Sequence, residues 1–236
     1  MPAAASVDTI RVMTSNSTRG VLEALAPAFE RASGHALCFQ YDSAKAMMAR
    51  IEAGATADVV VLGTGAINEL EALGRLVPGS RRLFARSRVG VAVRTGAPRP
   101  DISTVEAFKR TLLEAKSVAH TVHGASGMYV PVLLERLGIA DQIRPKTVTR
   151  PGGYIGVVVA SGEAEIAVQQ ICELLAVPGI DLVGPLPDEI QKVFETSAGI
   201  FTDAADPAVS VAFLEFCAAP AHAPLFKAKG LESANG

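Results

Sequence analysis

Apolar positions along the chain follow two alternating rhythms. Ile10 to Met13 is a short β-type run that gives way to the polar stretch Thr14-Ser15-Asn16-Ser17-Thr18, after which Leu22, Leu25 and Phe29 recur at helical spacing up to Ser33-Gly34. The unit is strand, polar turn, helix. Pro27 falls inside that helix and is expected to kink it, because the ring removes a backbone donor and crowds the preceding turn. The unit then repeats: Ala36 to Tyr41 as strand, Asp42-Ser43 as turn, and a helix carrying Met47, Met48 and Ile51 that stops at Gly54. Asp58 to Leu62 is nearly all apolar, as expected of a strand covered on both faces.

Farther on, Val89 to Val93 is another apolar strand, followed by the Pro/Gly-rich Thr95 to Pro100 and a helix with Val105, Phe108 and Leu112 on one face. Ser117 to Thr121 is a strand, His123-Gly124-Ala125-Ser126-Gly127 a turn, and the next helix ends at Leu137-Gly138. Lys146 to Arg150, Pro151-Gly152-Gly153, a further helix, and Glu165 to Val168 continue the alternation. Ile180 to Val183 and a long strand over Lys192 to Thr202 flank the Gly184-Pro185-Leu186-Pro187 crossing. Asp206-Pro207 starts a helix bearing Val209, Phe213 and Phe216, and a last helix runs from Pro220 to Lys229 before Gly230. Such alternation predicts an α/β fold of two lobes, each a doubly wound, mostly parallel sheet. Lobe 1 is expected over 1–87 plus 189–236 and lobe 2 over 88–188, with a ligand cleft between them.

Composition narrows the function. Hydrophobic residues make up 49% and charged residues 19%, which describes an ordered, soluble globule. A net charge of -2 with interspersed signs offers nucleic acid or an anionic membrane no footprint. Aromatics at 5% and no tryptophan disfavour a stacking platform, so a small polar or charged ligand fits better. Cys38, Cys172 and Cys217 lie far apart and form neither a disulfide framework nor a zinc site; all three are expected to be buried. His35, His120, His123 and His222 make no H-x-x-x-H pair, and neither metal nor cofactor is expected. No apolar run approaches the ~18 residues of a membrane span. The first residues carry no basic, apolar leader, so the expected compartment is cytoplasmic if the chain is complete as written. It is periplasmic if Ala3-Ala4-Ala5 is the remnant of a cleaved signal. A monomer is expected.

Ligands of open α/β sheets collect beyond the carboxyl ends of the strands, where helix N-termini offer free backbone donors. Three turns there are rich in hydroxyls: Thr14 to Thr18 with Ser15, Asn16 and Ser17; Asp42-Ser43; and Ala125-Ser126-Gly127. Ordinary N-capping explains any one of them, whereas three in register point to an anion. Arg19 and Lys45 sit two residues after Ser17 and Ser43, placed to face the same ligand or simply to be solvated. Tyr129 and Tyr154 offer a flat wall with a hydroxyl tip. His123 is the acid–base candidate, although no carboxylate or nucleophile is identified beside it. The chain has no G-x-G-x-x-G, no P-loop and no G-x-S-x-G elbow.

These segments together resemble the molybdate-type branch of the type II periplasmic binding proteins of ABC transporters, from Ile10 to Leu231. The likeness is carried by Ile10-Arg11-Val12 through Gly34, by Ala49-Arg50-Ile51-Glu52-Ala53-Gly54 leading to Ala57-Asp58, and by Ser126-Gly127-Met128-Tyr129 with its helix. The long late strand and the Asp206-to-Gly230 ending complete it. The resemblance implies that an oxyanion is held at Ser17, Ser43, Ser126 and Tyr154. The family's tyrosine after a late strand does not carry over; Val168 stands there, followed by Gln169 and Gln170. The second-serine segment reads Asp42-Ser43-Ala44-Lys45, so an organic carboxylate suits the site as well as molybdate does. Two functions are therefore weighed. The first is a solute-binding protein that captures a small anion and docks on an ABC transporter permease. The second, behind it, is a cytoplasmic lyase or isomerase of a small organic acid on the same fold, with Lys45, His123 and Arg19 as its acid–base candidates.

Overall fold

The computed structural model describes residues 9–234, so the Ala3-Ala4-Ala5 run lies outside the described residues. Along them run β1 (Thr9–Ser15), α1 (Arg19–Ser33), β2 (Ala36–Asp42), α2 (Ala44–Glu52), β3 (Val59–Gly63), α3 (Thr64–Ala72) and β4 (Arg82–Arg94). Then come α4 (Val105–Glu114), β5 (Val118–Thr121), α5 (Ala125–Arg136), α6 (Ala140–Ile143), β6 (Thr147–Arg150), α7 (Gly156–Ala160), β7 (Ile166–Gln170) and α8 (Ile171–Leu174). The chain closes with β8 (Ile180–Pro185), β9 (Val193–Ile200), α9 (Pro207–Ala218), α10 (Ala223–Ala228) and β10 (Leu231–Ser233). It divides into two compact units, passing from one to the other within β4 at Ala85/Arg86 and within β9 at Phe194/Glu195.

In the first unit β1 lies between β2 and β3, parallel to both, and β9 runs antiparallel to β3. Val59, Val60, Val61 and Leu62 are wholly buried, which is why that strand reads as an unbroken apolar run. Met13, Met47, Ile51, Ile67, Leu70 and Phe201 pack on one side. Phe29 of α1 meets Phe213 of α9 edge to face at 5.1 Å. Asp58, just before β3, pins the sheet. Its carboxylate accepts the Arg11 backbone N–H at 2.7 Å, the Arg11 guanidinium at 3.2 Å and the Ala205 N–H at 2.9 Å. Burial alone would push this carboxyl up, but those hydrogen bonds outweigh it and hold it below the usual range.

In the second unit β5 lies between β6 and β7, parallel to both, while β4 runs antiparallel to β7 and β8. One core cluster gathers Val89, Val91, Phe108, Leu112, Val118, Leu133 and Val168; another gathers Ala92, Ala119, Ile155, Val158 and Val159 on the opposite side. The 228–231 segment belongs to this unit. Gly230 has φ of 73°, and a Cβ there would stand 2.9 Å from the Cys172 backbone nitrogen, so the segment presses on α8 as only glycine allows.

Several expectations need correction. The strand expected at Val89 to Val93 is β4, of 13 residues, because Arg82, Arg86 and Arg88 interrupt the apolar pattern without ending the strand. The helix expected up to Ser33-Gly34 is α1, which runs past Pro27 to Ser33 and stops at Gly34 with φ of 76°. The last helix is divided into a 3-10 turn over Pro220–His222 and α10. Cys172 and Cys217 are buried but Cys38 is exposed, since β2 pairs on one side only and turns alternate residues outward. Asp206 caps α9 as expected, accepting the Val209 N–H at 3.0 Å.

Candidate functional site

Parallel register brings the carboxyl ends of β1, β2 and β3 to one edge of the first unit, with Ser15 opposite Asp42 and Thr14 opposite Val61. The turn after β1 is cross-linked by its own hydroxyls: Ser15 Oγ lies 2.8 Å from Ser17 Oγ, and Thr14 Oγ1 lies 2.6 Å from Thr18 Oγ1. Ser17 is buried, and Asn16 opens the 3-10 turn that leads into α1. Arg19 starts α1, pairs with Glu23 at 2.9 Å and lays its guanidinium 4.7 Å from the centre of the Tyr41 ring. Ser43 caps α2, its Oγ accepting the Ala46 N–H at 3.2 Å. Lys45 is exposed in the first turn of α2. Ser15, Asn16, Ser17, Arg19, Ser43 and Lys45 thus share one edge. A further hydroxyl pair joins it: Thr64 Oγ1, at the start of α3, lies 2.8 Å from Ser197 Oγ of β9. The Gly63-Thr64-Gly65 sequence after an apolar strand was the available sign of that third turn.

The second unit has an equivalent edge at the ends of β5, β6 and β7. Ser126 and Thr121 are 0% and 1% exposed, and among the described residues neither hydroxyl oxygen has a hydrogen-bond partner. A Cβ on Gly127 would fall 2.1 Å from the Thr121 carbonyl oxygen and 2.5 Å from its Oγ1, and one on Gly124 would fall 2.8 Å from the same Oγ1. Two glycines therefore let Thr121 press into the first turn of α5, where backbone N–H groups lack intrahelical acceptors. Buried hydroxyls left unsatisfied cost stability, which sets these two apart as donors with capacity to spare at this edge.

The other sequence candidates of this unit are placed unequally. Tyr129 donates its hydroxyl to the Ile190 carbonyl at 2.6 Å and sets its ring against Phe194 at 6.5 Å, committing it to the packing of its own unit. His123 is exposed, its backbone N–H bonded to the Pro151 carbonyl at 2.9 Å. Tyr154 is half-buried in a turn that Gln169 clamps from below: Gln169 Nε2 donates to the Gly153 carbonyl at 2.8 Å, and its Oε1 accepts the Ile155 N–H at 2.9 Å. Val168 points into the core. Gln170 is buried, accepts the Ser87 hydroxyl and donates to Glu173 Oε2 at 3.4 Å. Burial pushes the Glu173 carboxyl up to about 8, against the opposing hydrogen bonds from Gln170 and Gln169. Thr121, Gln169 and Glu173 carry no motif; the clue to Glu173 was an acid inside the apolar run Ile171-Cys172-Glu173-Leu174-Leu175.

Both edges present hydroxyls, backbone N–H groups and, in the first unit, two cations, which is the chemistry of anion recognition. Among the described residues, no group of three or more His, Cys, Asp or Glu stands where it could hold a metal ion. Residues 10–232 match the family described as bacterial extracellular solute-binding protein. The chain belongs to that family. An aconitate isomerase from Pseudomonas sp. is 36% identical over 236 residues, covering 98% of this chain and 90% of that protein. Among solved structures, the periplasmic molybdate-binding protein of Azotobacter vinelandii superposes with a TM-score of 0.79 at 21% identity, covering 94% of this chain and 98% of that one. The sulfate-binding protein of Mycobacterium tuberculosis superposes with a TM-score of 0.78 at 15% identity, covering 97% and 88%. The solute-binding protein thus has the type II periplasmic-binding fold expected from its sequence.

Proposed function

We propose that this solute-binding protein takes a small unsaturated polycarboxylate as its ligand and isomerises it. The observation that carries this reading is the 36% identity, running nearly end to end, to a protein named for the isomerisation of aconitate. The likeness to molybdate- and sulfate-binding proteins is a likeness of fold, at 21% and 15% identity. The residues agree with a carboxylate. Arg19 and Lys45 add charge beside Ser15, Asn16, Ser17 and Ser43, and the late-strand tyrosine implied by the molybdate-type resemblance is absent. In this reading the first unit's edge takes carboxylates on hydroxyls and cations, and the second unit's edge offers Thr121, Ser126, Gly127 and the Tyr154 turn.

A second reading, capture of an oxyanion for a transporter permease without turnover, is favoured by the family match itself. Titrating the protein with trans-aconitate, molybdate, tungstate and sulfate while following its melting temperature separates the two, because selective binding to the native state raises that temperature. The isomerase reading expects the tricarboxylate to stabilise the protein and to be converted to its cis isomer. Stabilisation by molybdate or sulfate alone, with the tricarboxylate returned unchanged, would establish the transport reading instead.

A further inference from the structure

We propose that Glu173 is the acid–base residue of this isomerisation, taking a proton from the methylene carbon of the bound polycarboxylate and returning it to the far carbon of the double bond. The assignment rests on the isomerase reading above. Three observations carry it. First, Gln170 ends β7 and its amide donates to Glu173 Oε2 at 3.4 Å, which holds the carboxyl toward the edge where that strand ends. β5 and β7 are parallel neighbours with Ala119 opposite Ala167, so Thr121 and its unsatisfied hydroxyl end at that same edge. Second, Glu173 is 7% exposed as a residue and, among the described residues, its carboxyl has no ion-pair partner. Third, Gln170 is itself fixed by the Ser87 hydroxyl, so the carboxyl is oriented from behind rather than free to swing.

The groups facing Glu173 are neutral. They are the amides of Gln169 and Gln170 and the Cys172 thiol, which burial and the neighbouring carboxylate both push up. A carboxyl largely protonated near neutrality admits a polyanion without repelling it, and its ionised fraction, which grows toward about pH 8, is the form that takes the methylene proton.

The step balances without a co-reactant. A C–H bond of the methylene breaks as an O–H bond forms on Glu173, and the electron pair spreads over the three-carbon system and its carboxylates. The O–H bond then breaks and a C–H bond forms at the other terminus. The double bond has moved, and it takes the geometry in which the former methylene arm was held.

The experiment is turnover of trans-aconitate in heavy water, read by proton NMR for isomer and for deuterium in the product. Wild type should isomerise, and the hydrogen that buried Glu173 passes on should be largely the substrate's own, deuterium entering only as that proton exchanges with solvent before the second transfer. Glu173→Gln should lose about 100-fold or more in kcat while its Kd for trans-aconitate, from the melting shift, stays within about threefold, and Glu173→Asp should recover part of the rate. A Glu173→Gln protein with kcat within about threefold of wild type overturns the assignment and leaves the isomerase reading standing. A wild type that turns nothing over overturns both. If Glu173→Gln does not fold, the wild-type pH profile decides. kcat/KM should rise through about pH 8, and a flat profile from about pH 6 to pH 9 overturns the assignment.

Discussion

At the scale of single residues, the sharpest feature is a hydroxyl that the fold does not satisfy. Ser126 is fully buried and, among the described residues, its Oγ has no hydrogen-bond partner. Removing an unsatisfied buried group is neutral or stabilising, so Ser126→Ala should leave the ligand-free melting temperature unchanged or raised. Its affinity for trans-aconitate should nevertheless fall by roughly 10- to 100-fold, the worth of a hydrogen bond to a charged group. Calorimetric titration beside a melting curve checks both halves. Asp58 behaves in the opposite way. Its carboxyl is depressed in the folded chain, so the stability it contributes is present above the ordinary aspartate value of about 3.9 and is lost as pH falls below it. Asp58→Ala should cost about 1–2 kcal/mol near neutral pH by removing the acceptor of the Arg11 and Ala205 N–H groups, and should blunt the acid limb of a stability-versus-pH curve. Glu173 has the reverse sign: a carboxyl raised to about 8 erodes stability as pH climbs from about 4.3 toward 8. Glu173→Gln should flatten that alkaline slope in the ligand-free protein.

At the scale of elements, the strand–turn–helix unit was the legible part. Ser15, Ser17, Ser43 and Ser126 stand where polar turns follow apolar runs, and the period of 2 giving way to 3.6 marks such places directly. What the sequence could not show is which side chains these turns would satisfy internally. Ser43 is engaged in capping and Tyr129 in a bond to Ile190, whereas Ser126 and Thr121 are left open. That difference depends on distances of a few tenths of an ångström set by glycines. Gly127 is the critical one, because any Cβ there meets the Thr121 backbone at 2.1 Å. Gly127→Ala should therefore shift the start of α5, costing about 1–3 kcal/mol and abolishing ligand stabilisation in the same melting assay. The Gln169 clamp was equally invisible, since a glutamine at the end of an apolar strand has no motif. Replacing it with leucine should leave the Gly153 carbonyl and the Ile155 N–H unpaired, at a cost of about 2 kcal/mol readable by urea unfolding.

At the scale of the whole molecule, the alternation of strands and helices was sufficient to name an α/β fold, and the resemblance carried by whole segments to name its periplasmic-binding type. The length of β4 was not, because its arginines hide a strand that passes from one unit into the other. Fold and chemistry also separate at this scale. The same architecture, at 21% and 15% identity, belongs to proteins named for molybdate and sulfate, while 36% identity leads to one named for isomerising a tricarboxylate. In the reading proposed above, one group that moves a proton separates an isomerase from a binder of the same fold, and the second unit holds a buried carboxyl in Glu173. The most direct test of this account is to incubate the purified protein with trans-aconitate and follow cis-aconitate by NMR. The account predicts approach to the same equilibrium mixture from either isomer. Binding of trans-aconitate with no interconversion, or no binding beside a clear response to molybdate, would contradict it.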